Sequence, residues 1–406
     1  MRFLVLVLIS LSINAEVPHL PLDLNFEESR ALYKEIKKNQ KSVREPDIQT
    51  SIDGGEKLSN WIKKINEARD SDQAIRLTSK TTQRGIPVES PSKYGPSIIS
   101  QRLIKLQSEM PLAMKNIIYG SSPISSDTLV ADAVFIEWGR RVSKLYQTAV
   151  RWESYVPWLE HMADRRFRDI RGFYHLRKMP NLDYKLKNFD SLSVKEADLV
   201  RSSLHGICMN YARNEKSCSK NLQQAISEKN LIAFKQRYYG HAQKIWDSFF
   251  KISNPRKDTE WVNDRVMTVV FKDPKNEKIS GWLIENVEDE FQMTQPQWAM
   301  EIKLKRFGFG LPRIDFQKNV TPHVSGGNRI VMDANTELEE YGVRWTIRHE
   351  FGHILRLPDC YHEFYDPDQK IMINYQLDTS DLMCSRAGSM NKRIYDELKR
   401  VYFKAQ

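Results

Sequence analysis

The chain reads as an α+β protein, with a mainly helical N-terminal region and a C-terminal domain in which a small mixed sheet packs on one long helix. Three observations predict this. Apolar residues recur at helical spacing from Ser126 to Ile252. After residue 255, short β-rich runs alternate with helical ones in the order β-α-β-β-α. At 406 residues, 40% hydrophobic and 28% charged, the chain can also bury several packed cores. That composition excludes a disordered protein, and no internal repeat is visible.

At the N-terminus one Arg precedes an unbroken apolar run, Phe3–Ile9, and a mixed stretch that ends at Ala15. The run is too short to cross a bilayer and has the layout of a secretory signal peptide over 1–15, so export to the periplasm or the exterior is expected. No later segment reaches the ~20 apolar residues of a membrane helix. Residues 16–125 read as loosely built. Helical patterns at Glu27–Lys41 and Lys57–Arg69 alternate there with polar stretches such as SIDGGEK, and the region is a candidate pro-segment or accessory unit.

A helical domain is expected over 126–255. Its first helix opens at the capping residues of SSDTLVAD and carries Phe135, Trp138, Val142, Leu145 and Ala149 on one face. Pro157 should end or kink it. Further helices are expected over Val194–Tyr211 and Asn221–Phe250. Within 256–406, Arg265–Lys272 and Trp298–Phe307 read as strands, with EKISGWLIENVEDEFQM as a helix between them. A Gly-rich loop, the short strand NRIVMDAN and the long helix TELEEYGVRWTIRHEFGHILRL follow, the last opened by a capping box from Thr336 to Glu339. A final helix over MNKRIYDELKRVYFKAQ closes the chain.

The net charge of +10 and a pI near 9.2 favour contact with polyanions, such as an anionic envelope polymer. Nucleic acid is disfavoured, because no dense Lys/Arg block occurs. The Arg–aromatic interleaving of RRFRDIRGFYHLRK reads as helix core with a solvated basic face. Four cysteines, Cys208, Cys218, Cys360 and Cys384, suit disulfides in an exported chain and leave three pairings open. None stands in a C-x-x-C arrangement.

The chemistry concentrates in RHEFGHILRLPDCYHEFYD, Arg348–Asp366. His349 and His353 are four apart on a helix, so both imidazoles share one face and can reach a single Zn2+. Glu350, beside the first, can take a proton from a metal-activated water that attacks a polarised carbonyl. Pro358 ends the helix, and a sharp turn would carry Asp359 back toward the metal. His362, Glu363, Asp366 and, from a later helix, Glu397 are the competing third ligands.

These residues resemble the metzincin clan of zinc metallopeptidases, whose motif is H-E-x-x-H-x-x-G-x-x-H, or -D in the snapalysin-like branch, with a Met-turn beneath the metal. The resemblance covers the C-terminal domain. It implies His349, His353 and Asp359 as ligands, Glu350 as general base, Met383 as the Met-turn residue, and Arg329–Ala334 as an edge strand that pairs with extended substrate. It also implies that Cys360 and Cys384 are neighbours able to form a bridge, which leaves Cys208 and Cys218 to close a local loop. Two departures stand out. Arg356 occupies the position of the motif Gly, and Ser385 stands where some members place a transition-state Tyr, so that Tyr361, Tyr365 and Tyr375 become candidates for that role. The expected activity is that of a secreted zinc endopeptidase acting on polypeptide. The alternatives are a non-catalytic binder of an envelope polymer on the same fold and a zinc hydrolase of peptidoglycan cross-links.

Overall fold

The computed structural model describes residues 46–79, 92–263 and 265–403; the expected signal peptide and the helix at Glu27–Lys41 lie outside them. In order the elements are α1 (Pro46–Glu67), β1 (Ser92–Tyr94), α2 (Pro96–Glu109), α3 (Leu112–Ile118), α4 (Asp132–Tyr155), α5 (Leu159–Asp164), α6 (Arg171–Lys178), α7 (Leu182–Lys187), α8 (Val194–Ala212), α9 (Glu215–Ser227) and α10 (Leu231–Phe250). The second half comprises β2 (Thr259–Asn263), β3 (Val266–Lys272), α11 (Glu277–Glu290), β4 (Gln292–Met293), β5 (Trp298–Lys305), β6 (Arg313–Gln317), β7 (His323–Ser325), β8 (Arg329–Asp333), α12 (Tyr341–Ile354), β9 (Tyr361–Asp366), β10 (Ile371–Gln376) and α13 (Lys392–Tyr402). The fold is α+β, with helices dominating the first half.

Helices α1–α4 share one core, built on Trp61, Ile65, Met114, Phe135 and Ala149. The stretch SIDGGEK, read above as a polar break, is the middle of α1. Each Gly costs a helix ~1 kcal/mol relative to Ala. Here a Cβ on Gly54 would strike the Tyr119 ring and one on Gly55 the Tyr146 ring, so both glycines are contact points for aromatic side chains. Helix α4 packs with residues 46–118 rather than with the later helices, and gives way at Pro157 to a 3-10 turn, Val156–Trp158.

A second core gathers α6–α10 around Phe173, Leu204, Ile207 and Tyr238, with the Cys208–Cys218 disulfide joining α8 to α9. The run expected as one helix over Asn221–Phe250 is broken after Ser227. Lys229 turns left-handed (φ 56°), and the Asn230 amide donates to the Ala225 carbonyl at 2.8 Å, which closes the helix end.

The third core surrounds α12 and holds Phe271, Phe291, Met300, Ile347, Phe351 and Leu398. Two small sheets line it, one ordered β2-β3-β5-β4 and the other β6-β8-β7. Two expectations are corrected here. Strand β8 is not an edge: it pairs in parallel with β6 and antiparallel with β7, so β7 is an outer strand of that sheet. Helix α12 begins at Tyr341 without the Thr336–Glu339 capping box. The Glu340 carboxylate is used elsewhere, accepting the amides of Leu77 at 2.7 Å and Thr78 at 2.9 Å.

That contact is one of several that weld the helical half to the C-terminal half. Tyr146 donates to Asp333 at 2.7 Å, and Arg76 pairs with Glu337 at 2.9 Å. Strand β1 adds antiparallel to β10, whose other neighbour is β9. At that junction the fully buried Glu363 carboxylate accepts Arg151 through both oxygens (2.8 and 2.9 Å), Tyr94 at 2.5 Å and Tyr155 at 2.6 Å.

Candidate metal centre

Helix α12 is buried along most of its length, which suits a helix without a polar face in GVRWTIRHEFGHI. Its one buried cation, Arg348, is met by Glu290 at 3.0 Å. The histidine face looks toward two chain segments that return beneath it, residues 357–360 and 381–386.

The helix ends in a Schellman arrangement. Leu357 N–H donates to the Gly352 carbonyl and Arg356 N–H to that of His353, both at 3.0 Å, with Arg356 left-handed at φ 66°. The residue that replaces the motif Gly therefore adopts the conformation a Gly would, at a cost of about 1–2 kcal/mol. Its positive charge at a helix C-terminus offsets part of this. The turn delivers Asp359 to the histidines: its Oδ1 lies 3.2 Å from Nε2 of His349 and 3.2 Å from Nε2 of His353.

The second segment is fixed by Asp381, fully buried, which accepts the Met383 amide at 2.8 Å and Arg393 at 2.7 Å. Met383 brings its sulfur against Gly352, where any Cβ would collide with it. The two segments are joined by the Cys360–Cys384 disulfide and by the Cys360 amide, which donates to the Met383 carbonyl at 3.1 Å. The bridge expected between those cysteines is present.

The protonation pattern follows from these contacts. His349 Nδ1 bonds the Leu382 carbonyl at 2.8 Å and His353 Nδ1 the Leu357 carbonyl at 2.9 Å. A carbonyl only accepts, so each Nδ1 carries the hydrogen, and an imidazole in that tautomer turns its Nε2 lone pair inward. The carboxylate oxygen then lies 3.2 Å from each of two nitrogen lone pairs, and all three atoms fall within 4.8 Å of one another, an arrangement that requires positive charge between them. Ligands about 2.0–2.1 Å from one tetrahedral ion lie roughly 3.3 Å apart, so the donor set fits a metal of that size. Without a metal, a proton supplies the charge. Burial opposes it, but Asp359 outweighs burial and holds His353 up at about 9. Asp359 is held well below the carboxylate range by the two histidines, against its own burial. Asp359 keeps 33% of its side chain exposed and His353 19%, so the centre is open on one side. Glu350 is buried, and among the described residues its Oε2 has no hydrogen-bond partner.

The competing ligands are all engaged elsewhere. His362 Nε2 bonds the Arg165 carbonyl at 2.8 Å, and burial pushes its pKa down to about 4. Glu363 serves the Arg151 cluster, Asp366 accepts the amides of Asp368 and Gln369, and Glu397 meets Arg400 and the Ile252 amide. Among the candidate tyrosines, Tyr375 is buried beside Phe364 and Tyr365 lies against Trp152, whereas Tyr361 feels the charges of Asp359 and Arg151. Sequence reasoning missed Arg386, whose Nη1 donates at 3.0 Å to Thr346, one helical turn before Glu350. Its only signal was its place three residues after Met383. Compared with known proteins, the chain matches no family model, no curated protein and no solved structure.

Proposed function

We propose that the protein is an exported zinc-dependent endopeptidase of metzincin type, with His349, His353 and Asp359 as ligands and Glu350 as general base. The observation that carries this reading is that three lone-pair donors lie within 4.8 Å of one another, Asp359 3.2 Å from each histidine, beside a buried carboxylate oxygen with no partner among the described residues. Two imidazoles and one carboxylate are a donor set that suits zinc. The left-handed Arg356 turn, the Met383 sulfur under Gly352 and the two disulfides, which suit an oxidising compartment, support the same reading.

Zinc held there would polarise the scissile carbonyl and acidify a water beside it. Glu350 accepts that water's proton at Oε2 and passes it to the leaving amine nitrogen. The Leu382 and Leu357 carbonyls keep both imidazoles in the ligating tautomer throughout. Arg386, which feels the charge of Glu350, and Tyr361, which feels that of Asp359, would be the candidates to steady the carbonyl oxygen as charge builds on it. Extended polypeptide would lie along the outer strand β7. The free Glu350 oxygen weighs against a purely binding role, which has no use for a buried carboxylate without a partner.

The test is metal analysis together with cleavage of a denatured protein. Glu350→Gln should retain zinc and fold and lose ~10²–10⁴-fold in rate or more. Wild-type protein that binds zinc tightly yet cleaves neither polypeptide nor peptidoglycan peptides would discard the enzymatic reading. Cleavage confined to cross-link peptides would shift it to a cell-wall hydrolase.

A further inference from the structure

The loop between β5 and β6, RFGFGLP, holds the two most exposed large hydrophobic residues of the described chain: Phe307 is 85% and Phe309 108% exposed. The loop is not a frayed excursion. At its start the Lys305 carbonyl accepts the Asp273 amide at 2.9 Å, and at its end the Pro312 carbonyl accepts the Lys272 amide at 2.8 Å. Inside it, Leu311 folds back so closely that a Cβ on Gly308 would stand 2.6 Å from its side chain, and Gly310 turns left-handed at φ 71°. Leu311 thus fills the loop's interior while both phenylalanine rings stay outside. Two fully exposed aromatic rings at the tip of a defined loop contribute nothing to folding.

The flanking charge is one-sided. Lys303, Lys305 and Arg306 are exposed and, among the described residues, none has a carboxylate partner, whereas Arg313 at the far end leans on Asp315 at 3.5 Å. The nearby Asp273 carboxylate caps the Lys275 amide at 2.8 Å. Protein interfaces surround a buried aromatic anchor with further apolar area and are depleted in Lys. Here the two rings protrude alone among glycines and cations. That is the pattern of a segment that enters the interfacial zone of a bilayer while Lys and Arg meet its headgroups.

We propose that the Arg306–Pro312 loop docks the protein on an anionic lipid surface, with Phe307 and Phe309 entering the headgroup–acyl boundary and Lys303, Lys305 and Arg306 held against lipid phosphates. Docking of this kind is independent of the metal centre and would bring the hydrolase to substrates at a membrane.

The experiment is co-sedimentation of the secreted protein with phosphatidylcholine vesicles, with and without phosphatidylglycerol. It uses the wild type, Phe307→Ser/Phe309→Ser and Lys305→Glu/Arg306→Glu, with thermal unfolding as the folding control. Wild type should bind the anionic vesicles and barely bind the neutral ones. Losing two inserted rings should weaken binding by tenfold or more on the order-of-magnitude scale of a buried Phe. Reversing two cations should weaken it at least ~30-fold, at roughly 1 kcal/mol per charge removed from the surface. All three proteins should unfold at the same temperature, because the altered side chains are solvent-exposed. No binding of wild type to anionic vesicles overturns the proposal, and so does equal binding by folded variants. A wild-type dimer that the double Ser variant dissociates, without vesicle binding, also overturns it and assigns the loop to a second copy of the chain.

Discussion

Opening the Cys360–Cys384 bridge separates what a disulfide does for stability from what it does for the metal centre. Its cysteines are 24 apart in sequence and those of Cys208–Cys218 are 10 apart. In the chain-entropy argument the longer loop contributes about 3.5 kcal/mol and the shorter about 2.8 kcal/mol, so Cys360→Ala/Cys384→Ala and Cys208→Ala/Cys218→Ala should lower stability to similar extents. All four sulfurs are buried, and the Cβ atom remains in each variant, so packing losses are also comparable. The two bridges differ in what they hold. Cys360 follows Asp359, and Cys384 stands two residues after Leu382, whose carbonyl fixes the His349 tautomer. Releasing those segments should weaken zinc binding by about 10–100-fold, the range seen when partners of metal ligands are removed. Zinc retention against a graded chelator, measured beside the urea midpoint, provides the assay. Both variants should show lowered midpoints, and only Cys360→Ala/Cys384→Ala a raised zinc dissociation constant. Equal zinc affinity in the two variants would refute the claim that this bridge positions the ligands.

Three further outcomes are expected. Asp359→Ala should lose zinc, whereas His362→Ala should retain it and lose only the anchor to the Arg165 carbonyl; inductively coupled plasma analysis of the dialysed proteins decides between them. Arg356→Gly should be more stable than Arg356→Ala by ~1 kcal/mol, since both lose the Arg side chain but only Ala keeps the left-handed penalty. Denaturant midpoints of the pair measure it, and a more stable Ala variant would contradict the φ of 66°. In chelator-stripped protein the His353 pKa is raised to about 9, so its contribution to stability is fully present below the unfolded value near 6.5 and lost as pH rises through about 9. Thermal scans of the stripped protein should therefore fall across that window, and zinc-loaded protein should not follow the same curve.

The candidate His–His–Asp group was legible in part because its information is local. His349, Glu350 and His353 occupy one helical turn, but the helix stops at Ile354 and the chain turns at Arg356, before the Pro358 that was expected to end it. The left-handed state of Arg356 was not legible: the resemblance marked it as a departure at a Gly position, where a different turn was expected, and an isolated Arg gives no such signal. What the sequence hid was non-local. The YHEFYD and IMINYQ segments form a hairpin closed by β1, more than 260 residues upstream of its pairing partners. Their alternation is obscured because both faces are largely buried, with Glu363 neutralised by an Arg on α4. Likewise SIDGGEK is helical although it holds two glycines, whose close contacts with Tyr119 and Tyr146 no local propensity anticipates.

The Glu363 cluster bears on how the proposed enzyme would be matured. Arg151, Tyr94 and Tyr155 all come from the helical half, while the carboxylate they satisfy begins four residues after Asp359. Cutting that half away would strand a fully buried anion, an event that costs several kcal/mol, and would strip the hairpin of its outer strand. An inhibitory leader is removed without harm because it only covers the finished enzyme. Residues 92–155 instead supply part of the interior on which the C-terminal half rests, so a maturation cleavage of the proposed enzyme that preserved this junction would fall upstream of them.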